Sequence, residues 1–122
     1  MDVSIETWIK LLPVSFVTSM LVEVLTAYVI ASTIDANRGK ICKAVAVAVL
    51  ISYTLIPIAA LSYPNVDPVS FFFVMLLPEI LFESAIISFV GEIDAVRAAG
   101  ISSVANFFTF LALASVARLM GF

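Results

Sequence analysis

Four apolar runs of about 20 residues, each long enough to cross the hydrocarbon core of a bilayer, take up nearly the whole chain. They fall at about 11–34, 41–63, 69–91 and 98–117, and within 122 residues they leave no room for an independent soluble domain. In lipid every backbone N–H and C=O must be satisfied within the segment that carries it, so such runs are predicted to be α-helices. The expected fold is all-α: an integral, multi-pass membrane protein of about four transmembrane helices, arranged as two tandem helical hairpins. Composition points the same way, with 63% hydrophobic and 12% charged residues and a mean hydropathy of +1.20.

The polar residues between the runs are turn formers. Asp35 to Lys40 (DANRGK) supplies Asn and Gly with two cations, and Tyr63 to Pro68 (YPNVDP) holds two prolines, an Asn and an Asp. Glu92, Asp94 and Arg97 surround a third turn. Residues 2 to 10 place Val3, Ile5, Trp8 and Ile9 among charges, which suits a short interfacial segment anchored by Trp8. Asp2 and Glu6 stand where a cleavable signal needs positive charge, so this segment is read as mature sequence. Arg38, Lys40, Lys43 and Arg97 lie at the end of the first and third turns, against Lys10 and Arg118 at the other. Cations in short loops favour the cytoplasm, which predicts a cell-membrane protein with both termini on the non-cytoplasmic side.

Shifting the sequence by 56 residues lays Leu21 to Ser32 (LVEVLTAYVIAS) on Leu77 to Ser88 (LPEILFESAIIS), with Leu, Glu, Leu, Ile and Ser coinciding. The match of Glu23 with Glu79 is informative because glutamate is rare in spans. With a two-residue change in turn length, Lys43 then falls opposite Arg97 and Ser52 opposite Asn106. Each copy holds two spans, so the two would be parallel, and Glu23 and Glu79 would sit at equal depth.

Glu23, Glu79 and Glu83 are the candidate chemistry. An acidic residue at mid-helix costs about 2.5–3.5 kcal/mol on insertion scales, and no Lys or Arg lies at that depth to offset it. Each glutamate must be protonated, hydrated, coordinated to a cation or paired with another subunit. Glu79 and Glu83, four residues apart, are expected on one helix face, where two carboxylates do not both ionise comfortably. Ser15, Ser19, Glu23 and Thr26 fall along one stripe of the first span, and Ser102, Asn106 and Thr109 along one of the fourth. Glu23, Glu79, Glu83, Asn106 and Ser52 together form an oxygen-rich candidate site for a proton or a hard monovalent or divalent cation. Pro78 adds the carbonyl of Val74, freed of its helical partner, as one more candidate ligand.

The plain structural alternative is that these side chains only hold helices together by hydrogen bonds. Ala44, Ala48 and Ser52, and Ala99 with Ser103, are expected close-packing surfaces; the phenylalanines at 71–73, 107, 108 and 110 are expected to face lipid or pack. Catalysis is not expected. There is no histidine, Gly-rich phosphate loop or cysteine pair, and the one cysteine, Cys42, reads as a small apolar residue. Scattered cations and a net charge of −3 argue against nucleic acid.

With four spans and a glutamate midway along the first, within Met20 to Thr26 (MLVEVLT), the chain resembles the small multidrug resistance transporters. That resemblance implies that Glu23 would exchange protons for cationic substrates. It covers one short motif: the family's Trp and Gly-rich packing in the third span have no counterpart here, where Gly91 closes the span and two further glutamates occupy it. The functional expectation is a transport-related, proton- or cation-binding component acting as a homo-oligomer in the bilayer. A non-catalytic accessory subunit of a larger membrane complex is the alternative.

Overall fold

The computed structural model describes residues 5–63, 65–66 and 68–121, and their side chains except at 5–8, 60, 68, 69 and 72. Among them there is no strand, and four helices run in order: α1 (Ile5–Thr33), α2 (Arg38–Ser62), α3 (Pro68–Gly91) and α4 (Ala95–Leu119). All four contain stretches long and apolar enough to cross a membrane. α1 packs against α2 and α4, and α3 against the same two, which closes a ring in which α1 faces α3 and α2 faces α4 across the axis. Both hairpin turns lie at one end of the bundle; the α2–α3 connection and the outer ends of α1 and α4 lie at the other.

The boundaries follow local chemistry. α1 begins at Ile5, so residues 5–10 form its first turns, because nothing between Ile5 and Leu11 interrupts a helix. Residues 2–4 and the Trp8 side chain, on which the anchoring expectation rests, lie outside the described residues. α3 starts on Pro68, whose missing N–H costs nothing in a first turn. α4 starts three residues earlier than expected because the Asp94 carboxylate caps it, accepting from the Arg97 N–H at 3.1 Å. Pro13, Pro57 and Pro78 sit inside continuous helices, a placement far more tolerable in lipid than in water.

Outward faces are apolar: Leu21, Leu25, Leu55, Phe73, Leu77 and Phe107 all lie about half or more exposed. Hydroxyls on the outer surface satisfy themselves within their own helix. Ser32 donates to the Tyr28 carbonyl (2.8 Å), Thr54 to Leu50 (2.8 Å) and Ser115 to Leu111 (2.9 Å). A surface of this kind suits lipid contact and would be an aggregation liability in water.

The two hairpins share one turn geometry. Asp35 and Glu92 both adopt the left-handed conformation (φ 55° and 56°). The Ala36 N–H reaches the Ala31 carbonyl and the Ile93 N–H the Ser88 carbonyl, each at 3.3 Å. Asn37 caps α2 by accepting from the Lys40 N–H (3.0 Å) as Asp94 caps α4. Every equivalence is 57 positions on, and it continues down the second helices: Ile41, Ala44, Val45, Ala48, Val49 and Ser52 are buried, as are Ala98, Ile101, Ser102, Ala105, Asn106 and Thr109. This corrects the alignment of the second spans. Lys40, not Lys43, stands opposite Arg97, and Ser52 stands opposite Thr109; the turn geometry, not likeness of side chains, sets the register. It also replaces Ala99 and Ser103 as packing residues by Ala98, Ser102 and Ala105, since Ser103 faces outward. Lys40 forms an exposed ion pair with Glu92, linking the two turns, a contact worth about 0–1 kcal/mol.

At the turn end Gly91 packs directly against the Ile41 side chain of α2. A Cβ there would meet Ile41 Cδ1 at 2.7 Å, and Ile41 is fully buried, whereas a Cβ at Gly100 meets nothing within 4 Å. Gly91→Val is therefore expected to cost about 1–3 kcal/mol by overpacking. Gly100→Ala should be neutral or slightly stabilising. Thermal unfolding of both variants in one detergent checks the contrast; equal behaviour would mean that this contact is looser than it looks.

Candidate functional site

α1 presents one buried stripe at every fourth residue: Leu11, Ser15, Ser19, Glu23, Ala27 and Ala31. Thr26 is not on it. Its hydroxyl turns back to the Val22 carbonyl (2.6 Å), since position 26 lies off the four-residue ladder. On α3, Glu83 is fully buried while Glu79, one turn earlier, is half-buried, so the two share a face but not an environment. Glu83 points across the axis at Glu23, and their carboxyl groups stand within hydrogen-bonding reach of each other.

α4 completes the centre. Asn106 Nδ2 donates to the Ser102 carbonyl (2.8 Å), to Ser102 Oγ (3.2 Å) and to Glu83 Oε2 (3.4 Å), while Ser102 Oγ donates to the Ile80 carbonyl (3.1 Å). Glu23 Oε1 and Glu83 Oε1 are buried without a hydrogen-bond partner, and so are Ser15 Oγ and Thr109 Oγ1. Buried polar atoms in folded proteins are nearly always satisfied, so four unpartnered atoms in one interior call for an explanation such as ordered water or a bound ion. Beside them a cavity of about 20 Å³, room for about one water, is lined by Ser19, Glu23, Tyr53, Glu79, Asn106 and Thr109 among others.

Depth follows from the helical rise. At 1.5 Å per residue, Glu83 lies about 12 Å, Glu23 about 15 Å and Glu79 about 18 Å from the turn ends of their helices, midway along a bundle about 36 Å long. All six Lys and Arg residues are exposed and close to helix ends, so none reaches the carboxyl groups.

Of the five residues expected at the site, the fold thus gathers Glu23, Glu83 and Asn106. Glu79 borders the central cavity and also lines a larger pocket of about 150 Å³ between α2 and α3, where Ser52 lies beside it. Val74, whose carbonyl Pro78 leaves without a helical donor, is among the lining residues of neither space, and its side chain faces outward. Among the described residues no three acidic or cysteine side chains converge closely enough to hold a metal ion.

Tyr53 was not among the expected residues. Its hydroxyl shares a 2.7 Å hydrogen bond with Ser19 Oγ, tying α2 to α1 at the cavity wall, and its ring meets Phe16 edge-on at 5.5 Å. The signal was available: tyrosine favours the membrane interface, and this one stands mid-span. No protein-family model, curated protein or solved structure matches the chain.

Proposed function

We propose that this chain binds a proton at the Glu23–Glu83 pair in mid-bilayer and acts, as an oligomer, in transport across the membrane rather than in catalysis. The observation that carries this reading is the adjacency of two buried carboxyl groups, each with an unpartnered oxygen and neither with a basic neighbour. Two bare carboxylates repel, whereas a carboxyl donating to a carboxylate makes a strong, short hydrogen bond, so the arrangement favours a shared proton. The water-sized cavity provides a carrier position next to it. A divalent cation has less support, since no three of the described acidic or cysteine side chains converge to supply its charged ligands. The crowding of Arg38, Lys40, Lys43 and Arg97 at the turn end favours the cytoplasm for that end.

The test is proton flux in liposomes carrying only this protein under an imposed pH gradient. Flux above that of protein-free vesicles, lost in Glu23→Gln, supports the reading; flux indifferent to the gradient and to the substitution overturns it.

One observation favours a second reading. Glu79, half-buried, lines the α2–α3 pocket beside Ser52, and that pocket would be the seat for a polar or basic side chain of a neighbouring chain in a larger complex. Mass determination of the assembly purified natively in mild detergent separates the two: copies of this chain alone favour the carrier, and stoichiometric larger subunits favour the accessory role.

A further inference from the structure

Glu79 is the one mid-span carboxyl that the Glu23–Glu83 pair leaves out, and it lies on the wall of the central cavity. The polar lining there comes from all four helices: Ser19 and Glu23 on α1, Tyr53 on α2, Glu79 on α3, Asn106 and Thr109 on α4. The rest of the wall is apolar, and no lysine or arginine lines it. By helical rise Glu23 lies about 15 Å and Thr109 about 21 Å from the turn ends of their helices, and Glu79, at about 18 Å, falls between them. Glu79 is near enough for its charge to act on Glu23, Glu83 and Tyr53.

The hydrogen-bonding capacity left over in this lining is uneven. The Ser19 and Tyr53 hydroxyls are taken up with each other at 2.7 Å, and Asn106 Nδ2 already has three acceptors. Glu23 Oε1 and Thr109 Oγ1 remain, on residues at most 5% exposed, and both lack a partner. A helical hydroxyl has a ready outlet in the carbonyl four residues back, which Ser32, Thr54, Ser62, Ser84 and Ser115 all use and Thr109 does not. Glu79 has Ser52 beside it, and one hydroxyl does not fill the two oxygens of a carboxyl. Three groups with open capacity thus border a space of about 20 Å³, and a buried water makes about three hydrogen bonds. Since no three described acidic side chains converge closely enough for a metal ion, water suits this space better.

We infer that one ordered water sits in this cavity, bonded to Glu23 Oε1, Thr109 Oγ1 and the Glu79 carboxyl, and that through it Glu79 is the third carboxyl of the proton site. This rests on the proton-binding reading and enlarges the site from two carboxyls to three. The exchange is balanced. The O–H bond of protonated Glu79 breaks as its proton passes to the water oxygen, and the water gives one of its own protons to Glu23 Oε1. Glu79 ends as the carboxylate, Glu23 as the acid, and the water is unchanged. Glu23 reaches Glu83 directly, so the proton is shared along Glu79, water, Glu23 and Glu83. Thr109 is a positioning residue that holds the water.

The test is infrared spectroscopy of hydrated nanodisc films, as the difference between acid and alkaline pH, in ordinary and in heavy-oxygen water. The parent should show an O–H stretch that moves to lower frequency in heavy-oxygen water. That band should be lost in Thr109→Val, return in Thr109→Ser, which keeps the hydroxyl, and persist in Ser115→Ala, whose hydroxyl bonds its own helix. The Glu79 carboxyl band, identified by its loss in Glu79→Gln, should shift in Thr109→Val. No isotope-sensitive band in the parent, or an unchanged one in Thr109→Val, overturns the inference. Rescue by serine excludes misfolding as the cause of a lost band, and Glu79→Leu, which should also abolish or shift it, serves if Thr109→Val does not fold. In liposomes Glu79→Gln should lower flux to the level of Glu23→Gln; parent-level flux in Glu79→Gln with Glu23→Gln inactive overturns the role of Glu79 and leaves the pair. Flux indifferent to every glutamate overturns the transport reading instead, and the isotope-sensitive band then decides the water bridge by itself.

Discussion

Replacing Glu23 and Glu83 together by leucine should make the protein more stable, by about 1–4 kcal/mol, while removing any proton-dependent activity. The pair is buried to 1% and 0% exposure, each residue keeps one oxygen without a partner, and no cation offsets them. Unsatisfied buried polar atoms cost about 1–3 kcal/mol each, and apolar side chains of similar volume in place of buried charged groups are often neutral or stabilising. Leucine is close to glutamate in size and continues the Ala27, Ile87 and Ile101 surface on the turn side. The measurement is the thermal unfolding midpoint of the double variant against the parent in the same detergent, alongside liposome flux. A clear drop in the midpoint with flux unchanged would mean that the carboxyls act as interhelical glue and that the plain structural alternative holds.

That outcome bears on why such a pair would exist. A side chain that destabilises its own fold is retained for what it does, and functional groups are commonly held at a cost to stability. If both the stability and the flux fall together, the two roles are not separable in this bundle; if stability rises and flux falls, the carboxyls are there for chemistry.

The fold was legible in the sequence because one physical constraint, the need to satisfy backbone groups in lipid, leaves few solutions for apolar runs of this length. The hairpin pairing was legible from the turn residues, and Asp35, Asn37, Glu92 and Asp94 do form the two turns. Register was less so. Likeness of side chains suggested Lys43 against Arg97 and Ser52 against Asn106, whereas the capping contacts place each pairing differently; a capping hydrogen bond depends on one oxygen in one place and leaves little trace in an apolar alignment. The rotation of each helix was hidden for a similar reason. Thr26 reads as part of the α1 stripe by spacing, yet a hydroxyl can bond its own helix and so carries no information about which way it faces. Glutamate has no such local outlet, which is why Glu23 and Glu83 were the more dependable markers of the interior.

Asn106 ties these observations together, and its removal should have the opposite sign to that of the carboxyls. The amide is the donor to Glu83 Oε2, the second oxygen of a carboxyl whose first is already unpartnered, and it also engages Ser102. Asn106→Leu leaves Glu83 bare in the middle of the bundle, and a loss of about 1–3 kcal/mol is expected from the stranded group. In a Glu83→Leu background the same substitution strands nothing, and most of that loss should vanish. The double-mutant cycle should therefore show a coupling of about 0.5–3 kcal/mol, as for residues within one hydrogen-bond network. Additive losses would show that Asn106 acts through Ser102 and α4 packing alone, and that the 3.4 Å contact to Glu83 carries no weight. The cycle also distinguishes the roles of the two carboxyls, since Glu23 has no donor on α4 to lose: Asn106→Leu in a Glu23→Leu background should still cost nearly its full amount, because Glu83 remains to be stranded.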